Sequence, residues 1–132
     1  MTIKYLDVGQ IVALHDIGIR EFGGTHGLRD AGLLESAALQ PQQTFGGQEL
    51  YPTLFDKASA YAFFISENQP FLDGNKRTAI SSAAVFLDLN GYEMKAPKGA
   101  IYKVVIEVAN KRMSREELSQ WFQKNSRRKR KK

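Results

Sequence analysis

Asn68-Gln69-Pro70-Phe71-Leu72-Asp73-Gly74-Asn75-Lys76-Arg77-Thr78-Ala79 joins two stretches that read as apolar helices, and its reading decides the architecture. Upstream, Leu54, Ala58, Tyr61, Ala62 and Ile65 recur three or four residues apart, so they share one face of a helix that runs out at Glu67-Asn68. Pro52 is expected in the first turn of that helix, where its missing N–H has no partner to lose. Downstream, residues 75–90 are rich in alanine and apolar on most sides, which predicts the buried central helix, closed by Gly91.

The flanks repeat the same helical punctuation. Asp7 is placed to cap a helix carrying Val8, Ile11, Val12, Leu14, Ile17 and Ile19, and Gly23-Gly24 ends it. Residues 25–29 read as a loop; Asp30 then caps a short helix through Leu33, Leu34 and Ala37 that stops near Pro41. A glycine-containing loop, 44–50, precedes the segment from Pro52, and Tyr92 to Lys95 reads as a brief extended excursion. Residues 99–110 are ambiguous. Their valines and isoleucines favour strand, yet Ile101, Val104, Val105 and Val108 have helical spacing, and helix is the reading adopted. Ser114 and Glu117 form a capping-box pair before Leu118, Trp121 and Phe122. About six helices with almost no strand signal predict one all-α domain over residues 1–125.

The 132 residues suit a single domain, and 42% hydrophobic residues can fill one core. With no cysteine, disulfide and thiolate-metal scaffolds are excluded, and a reducing, cytoplasmic setting is expected. The start lacks the basic and apolar regions of a signal peptide, and no apolar stretch approaches the ~20 residues of a membrane span. Net charge is +5, but Arg127, Arg128, Lys129, Arg130, Lys131 and Lys132 supply six of the 19 basic residues, leaving 13 against 14 acidic. The body is balanced and the basicity is a tail. Residues 126–132 are expected to be disordered by self-repulsion, touching nucleic acid weakly if at all.

The joining segment carries the chemistry. A helix opening at Asn75 leaves its first N–H groups unpaired, and the helix dipole adds partial positive charge there. That end is a natural phosphate site. Gly74 permits a tight turn and close approach; Asn75 can cap the helix or accept a hydrogen bond. Lys76 and Arg77 sit at the end where a helix disfavours cations, which makes sense if an anion fills the site. Lys76 then serves a triphosphate as a point charge and Arg77 as a bidentate clamp. Asp73 repels bare phosphate but can hold Mg²⁺. A lone Asp-Gly-Asn-Lys-Arg is most often an ordinary turn with solvated cations; the surrounding pattern changes the odds.

Residues 68–79 resemble the motif of the Fic/Doc family, H-x-F-x-(D/E)-(G/A)-N-(G/K)-R. Leu14-His15-Asp16, Gly23-Gly24, Gly27-Leu28-Arg29-Asp30, Gly32-Leu33-Leu34-Glu35-Ser36-Ala37, Tyr51-Pro52, Lys57-Ala58, Phe86-Leu87 and Asn90-Gly91-Tyr92 are similar to its death-on-curing branch. The likeness spans about residues 5–95 in order. It implies a Fic-type helical bundle and a toxin of a type II toxin–antitoxin system, with Gly74, Asn75, Lys76 and Arg77 binding nucleotide. Lysine at position 76, rather than the glycine of AMP-transferring members, implies that the γ-phosphate of ATP is presented. The implied target is a hydroxyl of a translation factor, elongation factor Tu by family precedent, and the implied partner a small antitoxin whose disordered C-terminal segment folds into a groove.

One position departs from the motif. Gln69 stands where the family has its general-base histidine, and an amide has no proton affinity near neutral pH. Loss of a general base costs about 10²–10⁴ in rate. The two histidines, His15 and His26, both lie in the N-terminal quarter; His15 falls within an apolar helix and reads as a satisfied, partly buried side chain, while His26 lies in a loop. Asp73 is a possible proton acceptor, but it is also the metal candidate. Selected or deliberate inactivation and a natural pseudoenzyme both account for Gln69. The competing functions are AMP transfer on the same fold and a non-enzymatic binding module.

Overall fold

The computed structural model describes residues 2–97 and 99–130. Six helices appear among them: α1 (Val8–Phe22), α2 (Ala31–Leu39), α3 (Leu54–Asn68), α4 (Asn75–Leu89), α5 (Ala100–Ala109) and α6 (Arg115–Lys124). The all-α reading holds, and residues 99–110 are helical as their spacing predicts. The helix starts are also where their side chains place them. Asp7, Asp30 and Ser114 each accept a backbone N–H from three residues on. Thr53 caps α3 in the same way, which leaves Pro52 one residue ahead of the cap rather than in the first turn.

The middle of the bundle is shared by two helices. α4 packs on α1, α3 and α5, as its alanines allow, but α3 packs on α2, α4, α5 and α6 and is the more enveloped. Ala58, Ala60, Tyr61, Ala62 and Ile65 of α3 meet Ala79, Ala83, Phe86 and Leu87 of α4 in one core, completed by Ile11, Leu34, Val105, Leu118 and Phe122. Small residues let the two backbones approach, and burial of the larger ones at about 25 cal/mol per Å² drives the assembly. Tyr61 anchors the N-terminal segment: its hydroxyl accepts from the Leu6 N–H at 2.8 Å, and burial pushes its phenol up to about 12. The fully buried Lys57 ammonium donates to the Glu49 carboxylate at 2.9 Å and to the Tyr51 carbonyl, tying the preceding loop to α3.

Two short ribbons depart from the sequence reading. Within the loop 44–50, β1 (Thr44–Phe45) pairs antiparallel with β2 (Gln48–Glu49). At the other end β3 (Tyr92–Met94), the expected excursion, pairs with β4 (Ser126–Arg128), so residues 126–128 are a strand and not a disordered tail. Self-repulsion is overcome because the fold supplies partners: Arg127 Nε donates to Glu93 at 3.0 Å, Lys129 Nζ lies 2.5 Å from Asp88, and Arg128 lies over the Tyr92 ring. The domain therefore runs past residue 125. Lys131 and Lys132 lie outside the described residues.

Candidate functional site

The segment between α3 and α4 forms the floor of a polar cleft of about 500 Å³, lined by Gly23, Gly24, Gln69, Asp73, Gly74, Asn75, Lys76 and Arg77, with Phe22, Leu72 and Tyr102 at its sides. All six sequence-selected residues, from Gln69 to Arg77, thus reach one place. α3 ends on Gln69, whose φ of 47° is left-handed and turns the chain back sharply. Gly74 is left-handed as well, φ 75°, and opens α4. No side chain caps α4, so the N–H groups of its first turn, at Asn75, Lys76 and Arg77, are left for water or a ligand.

Asn75 does not cap the helix. Its side chain reaches back to Phe71, accepting that residue's N–H and donating to its carbonyl, both at 3.0 Å, and so staples the loop. Asp73 is the only carboxylate among the described lining residues. One oxygen accepts from the Thr25 N–H at 3.0 Å and the other from the Gly74 N–H at 2.9 Å. These bonds, Thr25's foremost, hold its carboxyl below the usual carboxylate range. Each oxygen keeps a free lone pair, and one carboxylate is what Mg²⁺ needs from a protein when phosphates and water supply the remaining ligands. Among the described residues no group of three His, Asp or Glu side chains forms a self-sufficient metal site. Arg77 lies over the Phe22 ring at 4.5 Å, and its stem passes Gly18, where a Cβ would stand 3.4 Å from Arg77 Cδ.

The second wall is the loop after α1, which the sequence reading treats as a plain connector. Leu28 bridges Phe71, and the Leu72 N–H donates to the Gly27 carbonyl at 3.0 Å. The Arg29 and Asp30 N–H groups both donate to the Pro70 carbonyl. The Arg29 guanidinium clamps the end of α3, donating to the carbonyls of Asn68 and Gln69 at 2.7 Å each. Gly24 has φ 116°, and a Cβ there would lie 2.7 Å from the Asp73 carboxylate, so glycine alone lets Thr25 close on Asp73. The density of glycines at 23, 24 and 27 was the available signal; Arg29 carried none beyond its place in the family likeness.

The histidines are placed apart from the cleft lining. His15 is fully buried rather than partly so, with Nε2 2.7 Å from the Asp73 carbonyl and its ring stacked on Phe71 at 3.8 Å. His26 is exposed, its Nδ1 3.6 Å from Asp16. No helix among the described residues is long and apolar enough to cross a membrane.

Comparison with known proteins places this geometry. The family model described as Fic/DOC matches residues 5–87, which contain α1 to α3 and most of α4. The chain is 41% identical over 93 residues to Toxin Doc of Mycolicibacterium smegmatis, covering 70% of this chain and 69% of that protein. It is 32% identical over 92 residues to Protein kinase doc of Escherichia phage P1, covering 70% and 72%. With the motif segment forming the cleft inside the matched region, the chain belongs to the Fic/DOC family.

Proposed function

We propose that this protein is a Doc-type toxin whose cleft takes the phosphates of ATP and directs the γ-phosphate to a hydroxyl of a translation factor, elongation factor Tu by family resemblance. The observation that carries the reading is the uncapped start of α4, opening on a polar cleft with Lys76 and Arg77 in its first turn. The Lys76 ammonium attracts phosphate oxygens, the Arg77 guanidinium grips two at once, and the first-turn N–H groups complete the cradle. Asp73 would hold Mg²⁺, which neutralises phosphate charge when bound. The phage P1 relative, named a protein kinase, supports phosphate transfer over AMP transfer, as does lysine at position 76.

Gln69 lines the cleft at the end of α3 and can orient a target hydroxyl but not take its proton. The chain as it stands is therefore proposed to bind nucleotide and transfer slowly, and Gln69 itself favours the second reading, a pseudoenzyme that binds nucleotide or antitoxin. Gln69→His is expected to raise transfer by about 10²–10⁴. The check is incubation of both proteins with translation factors and ATP labelled at either the γ- or α-phosphate. Label from the γ position on the target supports the reading; label from the α position makes it an AMP transferase, and no label from either rejects transferase activity. A small antitoxin partner belongs to the same proposal. Nucleic-acid contact has little support, since Arg127 and Lys129 are paired with Glu93 and Asp88.

A further inference from the structure

We propose that His15 is the positioning residue of the cleft, locking the peptide between Asp73 and Gly74 and so fixing how α4 and the Asp73 carboxylate face a phosphate. The role rests on the reading that the cleft binds nucleotide phosphates.

His15 shares a buried row of α1 with Ile11 and Ile19, four residues to either side. A polar side chain in such a row is costly unless it is bonded. Its partner is the Asp73 carbonyl, 2.7 Å from Nε2. A carbonyl can only accept, so Nε2 carries the proton and donates. Phe71 fixes the ring plane: the two rings are 3.8 Å apart and 5° from parallel. His15 therefore grips the motif loop at residues 71 and 73 from another helix.

The grip matters because of what flanks that peptide. The α4 ladder opens with the Thr78 N–H on the Gly74 carbonyl, and among the described residues the Arg77 N–H makes no bond to the Asp73 carbonyl, so the helix does not hold the 73–74 peptide. Its N–H, on Gly74, is bonded to Asp73's own side chain. Glycine rotates at little cost, so a peptide that leads into one can turn when its carbonyl is not held. Among the described residues, His15 Nε2 is the one hydrogen-bond partner of that carbonyl. Losing it leaves that peptide held only through its N–H, by way of the Asp73 carboxylate that Thr25 fixes, so the carbonyl is free to turn and the entry to α4 to shift. A Cβ on Gly74 would make only ordinary contact with His15 Nε2, at 3.6 Å, and it is the left-handed φ of 75° that calls for glycine there.

Packing and hydrogen bonding separate in a pair of variants. His15→Gln keeps an N–H donor, while His15→Met has nearly the same shape and none. Met suits the apolar row better, so thermal stability should rank the Met variant at or above the Gln variant. Affinity for inorganic tripolyphosphate and for Mg-ATP, titrated on the otherwise unchanged chain, should rank them the other way. The Gln variant is expected within about threefold of the parent and the Met variant about tenfold weaker, the worth of one hydrogen bond. Equal affinities, or affinities that follow the melting order, overturn the positioning role while leaving the cleft reading intact. A parent that binds neither probe overturns both. Should the variants fail to fold, nitrogen shifts of the parent's His15 ring decide: the Nε2–H tautomer is expected, and an Nδ1–H tautomer overturns the proposal.

Discussion

The starts of α4 and α6 solve the same electrostatic problem in opposite ways. At α6, Ser114 accepts the Glu117 N–H, Glu117 bonds back to the Ser114 N–H, and Glu116 and Glu117 bring negative charge to the positive end of the dipole. At α4 there is no cap and no acid in the first turn; Lys76 and Arg77 stand there instead. α6 is finished within its own chain. α4 leaves its first-turn N–H groups without a side-chain acceptor, and its two cations add to the positive end of the dipole instead of offsetting it. α5 shows that an uncapped start alone is not a site: it too begins on a left-handed glycine, but its first turn, Ala100-Ile101-Tyr102, carries no charge.

Lys76→Glu breaks the contrast most severely. It gives α4 the charge that α6 has, and it should weaken tripolyphosphate or Mg-ATP by about 100-fold, the worth of a charge-assisted hydrogen bond plus repulsion. Calorimetric titration reads it, and unchanged affinity would remove Lys76 from the cradle. At α6, Ser114→Ala should cost about 1 kcal/mol of stability, seen as a melting point lower by a few degrees, with nucleotide affinity unmoved. An affinity loss there means that the two helix starts are coupled and the contrast fails. Without ligand, Lys76→Glu should stabilise the fold by about 0.3–1 kcal/mol, because a cation is relieved from the positive helix end; a loss of stability in a denaturant titration would show that Lys76 already serves the fold.

The smallest effect concerns pH. The Thr25 and Gly74 N–H groups hold the Asp73 carboxyl low, so its contribution is present above the ordinary carboxylate pKa and disappears as pH falls through the lowered folded value. Asp73→Asn should flatten that part of the acid limb of the stability curve; an acid limb identical to the parent's would mean that the bonds from Thr25 and Gly74 do not depend on the charge.

Much of this was legible along the chain because the signals are local. Capping residues act three positions away, and apolar spacing repeats within a turn, so the helices from Asp7, Asp30 and Ser114 could be read directly. The cluster from Gln69 to Arg77 is contiguous and needed no folding to be assembled. What escaped were pairings across distance. Arg127 meets Glu93, 34 residues away, and a basic run that repels itself in isolation becomes a strand. Arg29 lies 40 residues from the carbonyl it clamps, and His15 58 from the one it holds.

The sequence by itself determined the helices, their order and the charge at the start of α4, since these depend on residues within a turn of one another. The tertiary structure alone decided that α3 shares the centre with α4, that the glycine loop after α1 closes on Asp73, and that a buried histidine stands behind the motif. The physical reason is that hydrogen bonds between distant segments are chosen by packing, which brings a donor to one carbonyl among many, and no local pattern records that choice.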